Sequence, residues 1–163
     1  MTISEKDYLP ISEKLLDRAE KDGIERKVVK LVIRKNGAVL VLRRAKGEHF
    51  PDLYELPGGG LNENEDIFAG ARRELYEETG LSVKEFISQP ESIDFNTISD
   101  QKKCRGYVFV VLPRENDIVL NPDEHSGHKW VSLAEVDNLA MFPGTKTIIN
   151  KVLKDLVINL NLK

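Results

Sequence analysis

The sequence has a single cysteine, no long apolar run and little net charge of either sign. One cysteine, Cys104, excludes an internal disulfide, and no spacing of His and Cys residues resembles a zinc site. No apolar stretch approaches the roughly 20 residues that span a bilayer. The N-terminus also lacks a basic segment followed by an apolar one. We therefore expect a cytoplasmic protein that does not bind membranes.

The charge balance argues against a polymer as the ligand. The 24 basic and 27 acidic residues leave a formal net charge of -3, which provides no broad basic field for a nucleic-acid backbone. A chain of 163 residues can bury the core of one domain without disulfides. We expect a small-molecule partner and no nucleic-acid polymer.

An amphipathic helix is predicted near the N-terminus. Apolar residues recur at helical spacing over residues 11–22, and Gly23 ends the pattern. The apolar stripe consists of Ile11, Leu15, Leu16 and Ala19. Such a stripe must be covered, so we expect it to pack against the domain or to support a homodimer. We divide the chain into an N-terminal helical extension, 1–26, and a domain, 27–163.

Turn signals and apolar patterns predict a mixed α/β domain. Asn36-Gly37 separates two apolar runs, 28–33 and 38–42, and favours a hairpin because both residues tolerate positive φ. A helix is predicted over 66–79, with acidic residues at its start and Gly80 at its end. Further strands are predicted over 81–87, 104–112 and 129–131, helices over 132–139 and 145–160, and either a strand or a loop over 118–120.

Acidic residues recur at fixed spacing between Gly59 and Leu81. Gly59 is followed by five residues, Glu65, seven residues, Arg73-Glu74-Leu75, one residue, Glu77-Glu78, one residue and Gly80-Leu81. This pattern is a complete match to the Nudix box, and the chain resembles the MutT-like Nudix hydrolases. The flanks resemble the family more weakly and do not resolve a sub-family.

The resemblance implies a fold and an activity. The implied fold is α/β, an α/β/α sandwich with a mixed sheet, to which this chain adds its N-terminal amphipathic helix. The implied activity is Mg²⁺-dependent hydrolysis of a diphosphate linkage, with water attacking phosphorus and with Mn²⁺ as a substitute metal. The expected substrate is a nucleoside diphosphate-linked small molecule, such as a nucleoside triphosphate, a dinucleoside polyphosphate or a nucleotide sugar.

Diphosphate chemistry explains the need for glutamates. Bound cations must screen the phosphate charges and activate water, and Mg²⁺ prefers oxygen ligands. With 3.6 residues per turn, Glu74, Glu77 and Glu78 point into one sector of about 100°. Glu78 also falls on the apolar stripe of the helix, together with Leu75, where an unpaired carboxylate is unfavourable. A bound metal ion would provide the missing positive charge.

The resemblance assigns roles to three groups of residues. The implied metal ligands are the Gly58 carbonyl and the carboxylates of Glu74, Glu77 and Glu78. The implied structural residues of the box are Gly59, Glu65, Arg73 and Gly80, with Glu65 and Arg73 as an ion pair. The implied catalytic residues are Glu74, Glu77 and Glu124.

Further candidates lie outside the box. Arg43 and Arg44 are candidates for binding substrate phosphates, and alternation sends them to opposite faces, so at most one should reach the site. A solvated strand end fits either arginine equally well. Glu124 is expected to act from a mobile loop, as an outer metal ligand or as the base that deprotonates water. His125 and His128 are expected to be exposed loop residues.

Two other functions belong to the same fold. A non-catalytic Nudix-like domain would sense a nucleotide without turnover, although such domains often lose box glutamates that are all present here. The isopentenyl diphosphate isomerases form a third group, but Cys104 lacks the motif that surrounds their cysteine. Metal-dependent phosphate release would separate hydrolysis from nucleotide sensing, and the absence of isomer formation would exclude the isomerase.

Overall fold

A computed structural model describes residues 2–161 of the chain, and side chains over 2–154. The helices are α1 (Tyr8–Lys21), α2 (Ile67–Thr79) and α3 (Pro143–Asn161). The strands are β1 (Arg26–Lys35), β2 (Ala38–Arg44), β3 (Tyr54–Glu55), β4 (Val83–Phe86), β5 (Glu91–Asn96), β6 (Lys103–Pro113) and β7 (His125–Ser132). Short 3-10 turns cover Glu5–Asp7 and Val136–Asn138. None of the helices in this described part is long and apolar enough to cross a membrane.

Within the described residues, seven strands form one mixed sheet between two helical layers. Its central order is β3-β2-β1-β6-β4, while β5 pairs with β6 and β7 pairs with β2. The β1 and β6 strands run parallel, and the other pairs are antiparallel. One apolar cluster joins the sheet to α1 and α2, and a second joins it to α3. The α/β/α sandwich expected from the sequence is confirmed.

The predicted hairpin joins two halves of the sheet that then separate. Asn36 and Gly37 have φ values of 50° and 76°, and β1 pairs with β2 over only two residue pairs next to this turn. Beyond them, β1 continues along β6 and β2 continues along β7. Beyond the turn, β2 leaves one edge of β1 free, and the glycine-rich segment 57–61 forms backbone hydrogen bonds along that edge. The Val29 N–H, for example, donates to the Gly59 carbonyl at 2.9 Å.

The N-terminal helix packs against its own domain. The Tyr8 ring stacks on the Phe68 ring with centroids 4.3 Å apart. The buried Ser12 hydroxyl accepts a hydrogen bond of 3.0 Å from the Ile67 N–H, one of the amides that the start of α2 leaves without a helical partner. Because α1 and α2 share these contacts, the division of the chain at residue 26 stays a prediction.

We expect Tyr8→Ala to lower the free energy of unfolding by about 2–3 kcal/mol. This is less than the roughly 3–5 kcal/mol typical of a large aromatic in a core, because Tyr8 is only partly buried. The neighbouring Leu9 is 58% exposed, so Leu9→Ala should change stability by no more than about 0.5 kcal/mol. Urea unfolding measures both variants. Equal, small effects would show that the packing of α1 does not stabilise the domain.

Several elements differ from the sequence prediction. The β3 and β5 strands were not expected, and β7 begins at His125, well before the predicted residue 129. Residues 118–120 form no strand, and 132–139 contain a 3-10 turn instead of a helix. The side chains of β5 are almost all exposed, so its strand conformation comes from pairing with β6 and leaves little apolar pattern in the sequence.

Candidate active site

The helix α2 holds the box glutamates on a well-capped element. The Asp66 carboxylate accepts hydrogen bonds from the Phe68 and Ala69 N–H groups, both at 2.9 Å. Gly80 ends the helix in the left-handed conformation with a φ of 69°, as the sequence predicts. Caps at both ends fix the bounds of α2. The carboxylates carried between them are those of Glu74, Glu77 and Glu78.

Glu78 is a buried carboxyl group held by the backbone of the glycine segment. One of its oxygens accepts a hydrogen bond of 2.7 Å from the Gly58 N–H. Burial raises the pKa of Glu78 to about 8, although this hydrogen bond and the charge of Lys30 act in the opposite direction. Gly58 has a φ of 135°, and a Cβ there would lie 2.1 Å from the Val29 carbonyl oxygen. Only glycine therefore allows this approach.

Arg73 links the box helix to the loop before it. Its guanidinium forms two hydrogen bonds with the Glu65 carboxylate, at 2.7 and 2.9 Å, and donates to the Gly60 carbonyl at 2.9 Å. It also donates to Glu74 at 2.7 Å and to Glu77 at 3.0 Å. The hydrogen bonds to Glu65 are the main reason that the pKa of Arg73 is raised. Three carboxylates thus share one positive charge.

The surroundings of Glu74 are crowded and negatively charged. Burial is the largest cause that raises the pKa of Glu74, and the charges of Glu77 and Glu124 raise it further, against the effect of Arg73. A Cβ at Gly59 would lie 2.6 Å from a Glu74 carboxylate oxygen, so the loop passes directly against this side chain. This excess of negative charge favours a bound cation.

Glu124 lies in a hydrogen-bonded turn at the start of β7. Its carboxylate accepts a hydrogen bond of 2.6 Å from the Asn121 side-chain amide. The Glu124 carbonyl accepts from the Ala45 N–H at 2.8 Å, which ties the turn to the end of β2. The charge of Glu124 acts on the pKa of Glu74, so the structure brings Glu124 near the box glutamates. The mobility of this segment and the catalytic role of Glu124 stay predictions.

The two arginines at the end of β2 have different partners, and the pairing with β7 shifts register between them. Arg43 forms an exposed ion pair with Asp52 at 2.7 Å. Arg44 is more buried and contacts Glu55 at 2.7 Å and Glu48 at 3.0 Å. Only Arg44 lies beside the buried part of the site. A role in phosphate binding stays a prediction for both residues.

The prediction that His125 is an exposed loop residue is wrong. The residue opens β7 opposite Arg44 and is only 3% exposed. Its Nε2 lies 3.2 Å from Glu55 Oε1 and 3.9 Å from Glu78 Oε1. The residues around His125 are mostly polar and therefore suggested a loop. The pairing of this segment with β2 leaves no local signal in the sequence. His128 is exposed, as expected, but it lies within β7 opposite Leu42 and not in a loop.

Glu55 is a buried acidic residue that the sequence analysis missed. Burial alone would raise its pKa, but the hydrogen bond with His125 and the charges of Lys30 and Arg44 more than offset burial and hold the pKa of Glu55 below its ordinary value. The available signal was one acidic residue directly before the apolar Leu56, next to the glycine segment.

The donor atoms fit a hard divalent cation, provided that some side chains turn. In the part of the chain with described side chains, no group of three or more His, Cys, Asp or Glu residues stands ready to hold a metal ion. Glu74 and Glu77 point to Arg73, and one Glu78 oxygen binds the Gly58 N–H. Carboxylate oxygens are nevertheless the ligands that Mg²⁺ and Mn²⁺ prefer. Glu74 and Glu77 would have to exchange Arg73 for the ion.

The chain is similar to proteins that contain a NUDIX domain. The sequence model of the NUDIX domain matches residues 24–152. Nudix hydrolase 8 of Arabidopsis thaliana is 33% identical over 94 residues, which are 58% of this chain and 25% of that protein. The RNA pyrophosphohydrolase of Rhizobium meliloti (strain 1021) is 32% identical over 116 residues, or 61% of this chain and 69% of that protein.

A solved structure shares the fold. It is the bifunctional NMN adenylyltransferase/ADP ribose pyrophosphatase of Francisella tularensis, complexed with AMP and a Mn ion. The TM-score is 0.65 at 22% sequence identity, and the match covers 88% of this chain and 47% of that chain. The present chain thus spans about half of this protein and a quarter of the plant relative.

Proposed function

Because the chain belongs to the NUDIX domain family, we propose that it hydrolyses a diphosphate linkage with the help of a divalent cation, Mg²⁺ or Mn²⁺. The observation that carries this proposal is the set of three carboxylates on α2, two of which, those of Glu74 and Glu78, lie directly against the glycine-rich segment 57–61. When bound there, a divalent cation screens the phosphate charges and activates water. The carboxylates concerned are those of Glu74, Glu77 and Glu78.

Each residue of the site has its own proposed role. Glu78 is fixed by the Gly58 N–H and, with Glu74 and the Gly58 carbonyl, supplies oxygen ligands for the cation. Glu77 is more exposed and is a candidate for either of two roles, metal ligand or base. Glu124 lies near the same negative region, in the turn before β7, and is the second candidate for the base. Water attacks phosphorus, its proton passes to that base, and the bond from phosphorus to the bridging oxygen breaks.

A small nucleotide-like molecule is the proposed substrate class. The structural relative from Francisella tularensis is named an ADP ribose pyrophosphatase and holds AMP, and the net charge of -3 offers no broad field for a polymer. One observation favours a second candidate, since the Rhizobium meliloti relative is named an RNA pyrophosphohydrolase. The 5′ end of an RNA is therefore the alternative substrate.

The test is a substrate panel with identification of both products. It contains nucleoside triphosphates, dinucleoside polyphosphates, nucleotide sugars, ADP-ribose, NADH and an RNA with a 5′-triphosphate, each with Mg²⁺, Mn²⁺ or EDTA. Reaction in ¹⁸O-labelled water should place the label in a phosphate product, because water attacks phosphorus. Binding of a nucleotide without any product would instead identify a non-catalytic sensing domain.

A further inference from the structure

A row of buried and partly buried polar side chains adjoins the proposed metal ligand Glu78. Lys30 and Arg44 contact Glu55, with N to O distances of 3.7 and 2.7 Å. Glu55 in turn holds the His125 ring at 3.2 Å, and the same ring nitrogen lies 3.9 Å from Glu78. Glu55 and His125 are 7% and 3% exposed. Contacts therefore connect Lys30 and Arg44, through Glu55 and then His125, to the Glu78 carboxylate.

The hydrogen-bonding network assigns the proton on the imidazole. Glu55 is paired with two cations, and an ionised carboxylate can only accept hydrogen bonds. Its contact with His125 therefore requires a hydrogen on Nε2. The other ring nitrogen, Nδ1, is buried and has no hydrogen-bond partner among the described residues. The Nε2–H group donates to Glu55 at 3.2 Å, and the Glu78 carboxylate lies beside the same edge of the ring, 3.9 Å from Nε2 and outside hydrogen-bond distance.

We infer that His125 is a positioning residue: its ring, held in place by the hydrogen bond from Nε2–H to Glu55, lies against the Glu78 carboxylate and keeps it turned towards the cation. This inference rests on the proposed function, because it takes Glu78 as a metal ligand. One Glu78 oxygen is held by the Gly58 N–H at 2.7 Å. The other faces His125, so the two contacts together restrict rotation of the carboxylate. Removing a residue that orients a metal ligand from the outer shell commonly changes metal affinity by about 10- to 100-fold.

The experiment measures Mn²⁺ binding by electron paramagnetic resonance, with the full chain and without substrate. We expect His125→Phe to weaken Mn²⁺ binding by about 10- to 100-fold, because the ring shape remains but the donor is lost. His125→Gln should stay within about threefold of wild type, since its amide nitrogen can occupy the position of Nε2. His125→Asn is shorter and should bind as weakly as the Phe variant. The exposed His128 provides the matched control, and His128→Gln should bind like wild type.

The outcomes separate this inference from the proposed function. Wild-type affinity in His125→Phe, with affinity lost in Glu78→Gln, would overturn the positioning role alone. Equal losses in the Gln, Asn and Phe variants, in step with their melting temperatures, would show a purely structural histidine and also overturn it. A wild-type protein that binds no Mn²⁺ would overturn the proposed function as well. If His125→Phe does not fold, the comparison between Gln and Asn decides.

Discussion

Replacing Glu78 with glutamine is expected to lower kcat by several powers of ten and to leave the fold intact. The substitution removes a negative charge where the cation is to be held, and an interaction made mainly in the transition state appears in kcat when it is lost. The glutamine carbonyl can still accept the Gly58 N–H, which binds Glu78 at 2.7 Å. Initial rates at saturating Mg²⁺, on the substrate identified by the panel, measure the effect.

A matched glutamate in the same segment provides the control. Glu63 lies in the box loop and is exposed, so Glu63→Gln should retain the rate of the wild type. A correctly folded Glu78→Gln protein that turns over at the wild-type rate would contradict the assignment of Glu78 as a metal ligand.

Thermal unfolding of the metal-free protein shows whether the variant is folded. The pKa of Glu78 rises from 4.5 to about 8 on folding. Between these values the folded protein keeps a proton that the unfolded chain has lost, so this group lowers stability as the pH rises. Glu78→Gln cannot ionise and should melt higher than metal-free wild type at pH 8, but at a similar temperature at pH 4. Added Mg²⁺ should raise the Tm of wild type more than that of the variant.

The parts of the fold that the sequence predicts well carry local signals. The bounds of α2 could be predicted because Asp66 and Gly80 mark its ends and an apolar stripe lies between them. The turn at Asn36-Gly37 could also be predicted from a local signal, because both residues tolerate the positive φ that a tight hairpin requires. In contrast, β5 has mainly exposed side chains and depends on pairing with β6. A strand that is formed by a distant partner leaves too weak a pattern for a local reading.

The candidate site likewise has one part that local sequence predicts and one part that it does not. The residues from Gly59 to Leu81 are close in sequence, so their spacing alone predicts that the carboxylates converge. His125 and Glu55 are 70 positions apart. They meet because β7 and β3 both pair with the end of β2, where His125 is opposite Arg44 and Glu55 is opposite Leu42. Each looks like a solvated polar residue in its own segment. Their burial follows from sheet topology, which the sequence pattern did not specify.

Replacing Glu124 with glutamine is expected to reduce kcat by about 10²- to 10⁴-fold, the usual contribution of base catalysis. Glutamine keeps an oxygen that can accept from Asn121, whose amide contacts Glu124 at 2.6 Å, so the turn should persist. The decrease in kcat then reflects the missing charge or basicity of Glu124 and not a change in the turn. Its neighbour Asp123 is exposed, and Asp123→Asn serves as the control that should leave kcat unchanged.

The pH dependence of the rate decides between Glu124 and Glu77 as the base. Removing the base should lower the rate and abolish the acidic limb of the pH-rate profile, because that limb reports protonation of the base. Glu77 is half-exposed and is held by Arg73 at 3.0 Å, whereas Glu124 lies in the turn before β7 and accepts its hydrogen bond from the neutral Asn121 amide. We therefore expect the limb to disappear in Glu124→Gln and to persist in Glu77→Gln. An unchanged rate and profile in Glu124→Gln would remove this residue from the mechanism and leave Glu77 as the base.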